Sequence, residues 1–143
     1  MSTKRGPIGI EEILGRITRP TRAIVTAGMP YANGPLHLGH LAGAQVPADI
    51  HARWVGMLIG RENVLFVCGT DEHGVAITLA AEKAGQKPRE YVDRWHRLIK
   101  ETFERLHVSF DCFSRTTRIH HYAVSQRIFK EILADALSGR QKF

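Results

Sequence analysis

Apolar and polar positions alternate between two periods along the chain. Ala23-Ile24-Val25-Thr26-Ala27 and Val64-Leu65-Phe66-Val67-Cys68 are short, β-branched and continuously apolar, which predicts strands, the first from about Arg22 to Ala27. An unbroken apolar run also predicts that the second is a central strand buried on both faces. After the first run, Asn33-Gly34-Pro35 marks a turn. A helical pattern then runs from Leu36 through Ala48–Trp54 toward Gly60, with Pro47 inside it. A proline there removes a hydrogen bond and predicts a kink or restart near 43–45. After the second run, Val75 to Ala84 turns helical and stops at Gly85.

Pro88 opens a longer helix whose Tyr91, Trp95, Leu98, Ile99, Thr102, Phe103 and Leu106 form one stripe, read as core packing. Phe110 to Arg115 is expected to be a short extended segment. A last helix, from about Thr117 to Leu137, is expected to bury Tyr122, Ile128, Phe129, Ile132, Leu133 and Leu137. Residues 1–21 read as an N-terminal arm, with at most two helical turns carrying Ile10, Ile13, Leu14 and Ile17.

Strand–helix–strand–helix order predicts an α/β fold, a parallel sheet flanked by helices, its strand order reversing near Ala27 and Val67. Ligands of such sheets bind beyond the carboxyl ends of the strands.

Composition changes this picture little. The 143 residues are one domain's worth of chain, with 43% hydrophobic and 24% charged residues, as in ordinary globular proteins. The formal charge of +6 suits an anionic ligand without naming it. No apolar run approaches a membrane span and no signal-peptide core opens the chain. Cys68 and Cys112 make neither a disulfide framework nor a metal-binding pair, so a reducing cytoplasm is the expected compartment.

The candidate chemistry lies at the two strand ends. His37 and His40 are three apart on the first turn of a helix, so their rings share a face where free N–H groups and the helix dipole favour an anion. Gly39 between them lets a flat ring or phosphate approach the backbone. Asp71 follows the second strand, where a carboxylate suits an ammonium group or caps the helix after Gly74. Zinc on His37, His40 and either His73 or Cys68 is a weaker reading, because no C-x-x-C pair is present. The metal expectation is therefore none.

Gly28-Met29-Pro30-Tyr31-Ala32-Asn33-Gly34-Pro35-Leu36-His37-Leu38-Gly39-His40 resembles the first signature of the class I aminoacyl-tRNA synthetases, specifically of the methionyl-tRNA synthetase family. Cys68-Gly69-Thr70-Asp71-Glu72-His73-Gly74 and Ser109-Phe110-Asp111-Cys112-Phe113-Ser114-Arg115-Thr116 are similar to later segments of the same catalytic domain. The resemblance covers about Arg22 to Leu137. It implies a Rossmann-like sheet of the H-x-G-H type, of which residues 22–143 form the first half, ending before the family's insertion domain. It also implies ATP, with Mg2+, bound through Asn33, His37, Gly39 and His40, the two histidines being catalytic. Methionine would be held by Gly28, Met29, Tyr31 and Asp71, with Asp71 on its amino group. The family usually has Ala-Leu where this chain has Gly28-Met29.

The implied function is that of a methionine–tRNA ligase: ATP-dependent formation of methionyl adenylate and transfer to tRNA(Met), in the cytoplasm and without a membrane. The family's second, lysine-rich signature, its zinc-bearing insertion and its anticodon-binding domain have no counterpart among these residues. An incomplete catalytic fragment, inactive without a C-terminal half, is the expectation. A non-catalytic ATP- and methionine-binding paralogue and a small H-x-G-H nucleotidyltransferase are the alternatives.

Overall fold

A computed structural model describes residues 20–137; the proposed arm helix at Ile10–Ile17 lies outside them. Strand β1 spans Ala23–Thr26. Helix α1 is Leu38–His40, followed without a break by a π-helical segment, Leu41–Gln45, and by α2, Val46–Ile59. A 3-10 turn at Arg61–Asn63 leads into β2, Val64–Thr70. Then come α3 at Val75–Lys83, α4 at Pro88–Arg105, β3 at Cys112–Arg115 and α5 at Ile119–Leu137. The three strands form one parallel sheet in the order β1-β2-β3. The expected reversal of strand order therefore does not occur among the described residues.

Register explains which faces are covered. Val25 pairs with Phe66 and Ile24 with Leu65, and successive side chains point to opposite faces. Val25 and Phe66 are buried with Ala52 and Val55 of α2 and Ile99 and Phe103 of α4. Ile24 and Leu65 are 71% and 46% exposed. The expectation that β2 is buried on both faces is thus corrected, because no described element covers the second face at that level. Gly69 is required on β2, since a Cβ there would lie 2.8 Å from the Ser114 carbonyl oxygen of β3.

The helices keep their sequence signals, with two exceptions. Pro47 falls in the first turn of α2, directly after the π-helical segment; its missing N–H and its ring cannot continue an α-helical ladder back to Gly43. A Schellman end closes α3, with Gly85 at φ 65° and Gln86 N–H donating to the Ala81 carbonyl at 3.0 Å, as the glycine stop predicts. On α4, Tyr91, Val92, Ile99 and Phe103 are buried but Leu98 and Leu106 are not. The larger correction is α5. Tyr122, Ile128, Phe129, Ile132 and Leu133 are exposed, because no described element covers this face of the helix. The side chain of Leu137 lies outside the description.

Candidate active site at the strand carboxyl ends

Both chemistry-bearing stretches follow strand carboxyl ends, and the backbone ties them together. Tyr31 and Asp71 form a parallel β-bridge. Asp71 N–H donates to the Pro30 carbonyl at 2.9 Å, and Ala32 N–H donates to the Asp71 carbonyl at 2.9 Å. Tyr91, buried on α4, donates its hydroxyl to the Asn33 carbonyl at 2.9 Å. The turn that leads to the histidines is therefore fixed to the end of β2 and to α4. Tyr31 is itself half exposed, at 53%, with its ring free to meet a ligand.

His37 is the N-cap of α1 and His40 its third residue. Their rings stack with centroids 3.8 Å apart. His37 Nδ1 accepts from Gly39 N–H at 3.1 Å, and His40 Nδ1 accepts from His37 N–H at 3.2 Å. This is a capping box built from two imidazoles. An Nδ1 that accepts a backbone hydrogen bond carries no proton, so each neutral ring holds its proton on Nε2. The free N–H groups expected to receive an anion are thus partly used by the histidines themselves. Gly39 has the same explanation: a Cβ there would lie 2.9 Å from His37 Cε1. The flat ring lying against this backbone is His37's own.

Gly28 and Met29 stand between β1 and the turn. Gln45, the last residue of the π-helical segment and only 1% exposed, donates from Nε2 to the Gly28 carbonyl at 2.6 Å. The Cys68 thiol, its pKa pushed up by burial, lies 3.6 Å from the Ala27 carbonyl and 3.8 Å from Gln45 Oε1. Met29 reaches a cleft of about 420 Å³ that is open to all three strand ends, with Cys68, Gly69, Arg115, Arg118 and His121 among its walls. No described hydrogen bond or ring contact joins the histidine pair to Met29, Tyr31 or Asp71.

Asp71 is half-buried, and among the described residues its carboxylate accepts only a long bond, 3.4 Å, from His73 N–H. It does not cap α3, whose N-cap is Gly74 at φ 130° with no side-chain bond. The carboxylate is therefore left for something else. Among the described residues, no group of three His, Cys, Asp or Glu side chains is placed to hold a metal ion.

Beside Asp71 lies a network that sequence reasoning missed. The Glu72 side chain is fully buried. It accepts from Thr70 Oγ1 at 2.7 Å, from Arg115 Nε at 2.9 and 2.8 Å to its two oxygens, and from Thr117 Oγ1. Arg115 also donates to Asp93 at 2.5 Å. Burial opposes the charge of Arg115, but its bonds to Glu72 and Asp93 outweigh that and raise its pKa. Burial likewise opposes the charge of Asp93, and Arg115, then Arg89, outweigh it and hold the carboxyl below the usual range. Because Thr70 gives its hydroxyl proton to Glu72, it accepts from His96 Nδ1 at 2.7 Å. Burial and then the Arg115 charge push His96 below its ordinary pKa, against the pull of Glu72. The available sequence signal was a Glu and an Arg, each next to a strand end.

The family model described as tRNA synthetases class I (M) matches residues 23–141. The chain belongs to that synthetase family. Its relatives include the methionine–tRNA ligase of Chlamydia abortus, 47% identical over 122 residues that make 85% of this chain and 22% of that protein. The methionine–tRNA ligase of Thermococcus kodakarensis is 54% identical over 112 residues, 78% of this chain and 15% of that protein. Among solved structures, Mycobacterium tuberculosis methionyl-tRNA synthetase in complex with methionyl-adenylate matches with a TM-score of 0.73 and 31% identity. That match covers 80% of this chain and 22% of the solved one. The chain thus spans about a fifth of the length of these synthetases.

Proposed function

We propose that this chain supplies the H-x-G-H half of a methionine–tRNA ligase active site, residues 22–143 being the first half of its nucleotide-binding catalytic domain and residues 1–21 an arm. The substrates would be methionine, ATP with Mg2+, and tRNA(Met), and the setting the cytoplasm. One observation carries this reading: the Tyr31–Asp71 bridge puts an aromatic ring and an under-used carboxylate together, on a chain whose solved relative is titled as a complex with methionyl-adenylate. No helix among the described residues is long and apolar enough to cross a membrane.

In this reading Asp71 holds the methionine ammonium and Tyr31 closes over the side chain. Gly28 and Met29 line the amino-acid pocket, with Gln45 fixing the Gly28 carbonyl. The methionine carboxylate then attacks the α-phosphorus of ATP and pyrophosphate leaves. His37 and His40 present Nε2–H donors to phosphate oxygens whose charge grows in the transition state, which is where such donors act most strongly. Asn33 steadies the turn and adds a phosphate contact. Gly39 leaves room for the adenine once the His37 ring has turned from its own backbone toward the nucleotide.

Charge develops on both sides of the reacting phosphorus, and these residues serve one. No Lys-x-Ser-Lys string occurs in the sequence. Residues 1–143 alone should therefore exchange labelled pyrophosphate into ATP more slowly than a complete relative by about 10³ or more, the range of a missing cationic partner in phosphoryl transfer. Joined to the C-terminal part of a relative's catalytic domain, the chain should exchange in a methionine-dependent way that requires His40 and Asp71. Exchange indifferent to both substitutions would overturn the proposal.

A further inference from the structure

Glu72 poses a question that packing alone does not answer. A carboxylate with a fully buried side chain costs more to desolvate than an apolar side chain of the same size. A buried ion pair can often be replaced by hydrophobic residues without loss of stability. What the pair adds is a single geometry. Here that geometry joins three segments: the end of β2 through Thr70, the end of β3 through Arg115 and Thr117, and α4 through Asp93 and His96.

The backbone shows what is being fixed. Glu72 N–H donates to Thr116 Oγ1 at 2.9 Å and Thr116 N–H donates to the Thr70 carbonyl at 3.1 Å. Residues on both sides of Asp71 are therefore held by the β3 end. The Asp71 backbone itself exchanges hydrogen bonds with Pro30 and Ala32 on the other side. A single residue lies between two clamps, and its carboxylate is the group left under-used. We propose that the Glu72–Arg115 pair is a positioning device that sets Asp71 against Tyr31, and so fixes the width of the amino-acid site. This rests on the reading of Asp71 and Tyr31 as that site. Glu72, with its side chain fully buried, does not touch the substrate in it.

The test separates positioning from stability by amide hydrogen exchange on the whole chain, with the Phe66 amide as the reference for the sheet centre. In Glu72→Gln, the Asp71 and Ala32 amides should exchange about tenfold faster relative to Phe66 than in the unsubstituted chain, as local opening at the strand end requires. The double variant Glu72→Leu with Arg115→Met should keep the Phe66 rate and still show the faster exchange at Asp71 and Ala32. It also carries the test where the single variant does not fold. Unchanged ratios in the double variant, or a uniform rise at all three amides in Glu72→Gln, would overturn the proposal. A methionine titration of Asp71→Asn addresses the underlying reading separately. Unaltered affinity there would refute the ammonium role while the exchange ratios still report whether the pair holds the strand end.

Discussion

The His37–His40 turn and the Asp71–Glu72 strand end are built in opposite ways. The histidines are in the exposed part of the molecule, and within one turn the His37 ring accepts from Gly39 N–H and the His40 ring from His37 N–H. Glu72, one residue from Asp71, has a fully buried side chain and is bonded to groups from β2, the end of β3 and the turn that follows it. One motif is closed on itself by bonds that a ligand can replace. The other is closed by bonds that only unfolding would release. In the proposed function, the group that would answer growing phosphate charge is built from rings able to change partners, and the group that would hold an ammonium is set on a rigid strand end.

Stability should divide the two regions first. Arg115→Met removes the main partner of a buried carboxylate, and breaking one side of such a pair costs about 3–5 kcal/mol. His40→Ala removes the N3 half of the histidine capping box and should stay within about 0.5–2 kcal/mol, the range for lost caps. Urea unfolding of both variants checks the contrast. Equal losses would mean that the strand-end network contributes no more to the fold than the histidine box does.

Activity should divide them in the reverse sense. In a chain completed with a relative's C-terminal half, His40→Ala should raise the adenylation barrier by about 2.7–4 kcal/mol, as loss of an oxyanion donor does, with little change in methionine affinity. Asp71→Ala should weaken methionine binding, because in the proposed function it removes the partner of a ground-state ammonium. Pyrophosphate-exchange kinetics at varied methionine read both effects. If each substitution moved rate and affinity together, the two roles would be wrongly divided.

The sequence made the first region legible and, in the second, marked Asp71 as a candidate while hiding the network beside it. His37, Gly39 and His40 are neighbours in the chain, so a helical period suffices to place their rings on one face. The link from Glu72 to Arg115 spans 43 residues and depends on the register that sets Thr70 opposite Arg115. No local pattern encodes that register. The same limit explains the last helix and the second strand. Periodicity shows that α5 has an apolar face and that Leu65 is apolar, but not whether another layer meets them; the described chain leaves both exposed. Pro47 was informative because its effect is local, and the π-helical segment ends within two residues of it.

The smallest expected effect concerns His96, where the rigid region meets solvent pH. Its ring is stacked on Phe113 and bonded to Thr70, with Glu72, Arg115, Lys100 and Arg118 acting on its charge. Burial comes first among the causes that hold its folded pKa below the ordinary 6.5. As pH falls through that ordinary value, the unfolded chain takes up a proton that the folded chain still refuses. The unfolded state then binds more protons, so stability falls with falling pH. The contribution is complete above the ordinary value and is lost between it and the lower folded value. Below that it stays constant, since both states are protonated. The depressed Asp49, Asp93 and Asp111 act in a separate window, below their ordinary 3.8. Urea midpoints measured from about pH 8 to about pH 5 should therefore decline, and His96→Gln should flatten part of that decline. A decline untouched by His96→Gln would mean that the proton taken up on unfolding belongs to another group. The Thr70–His96 bond would then have no part in how the strand end responds to pH.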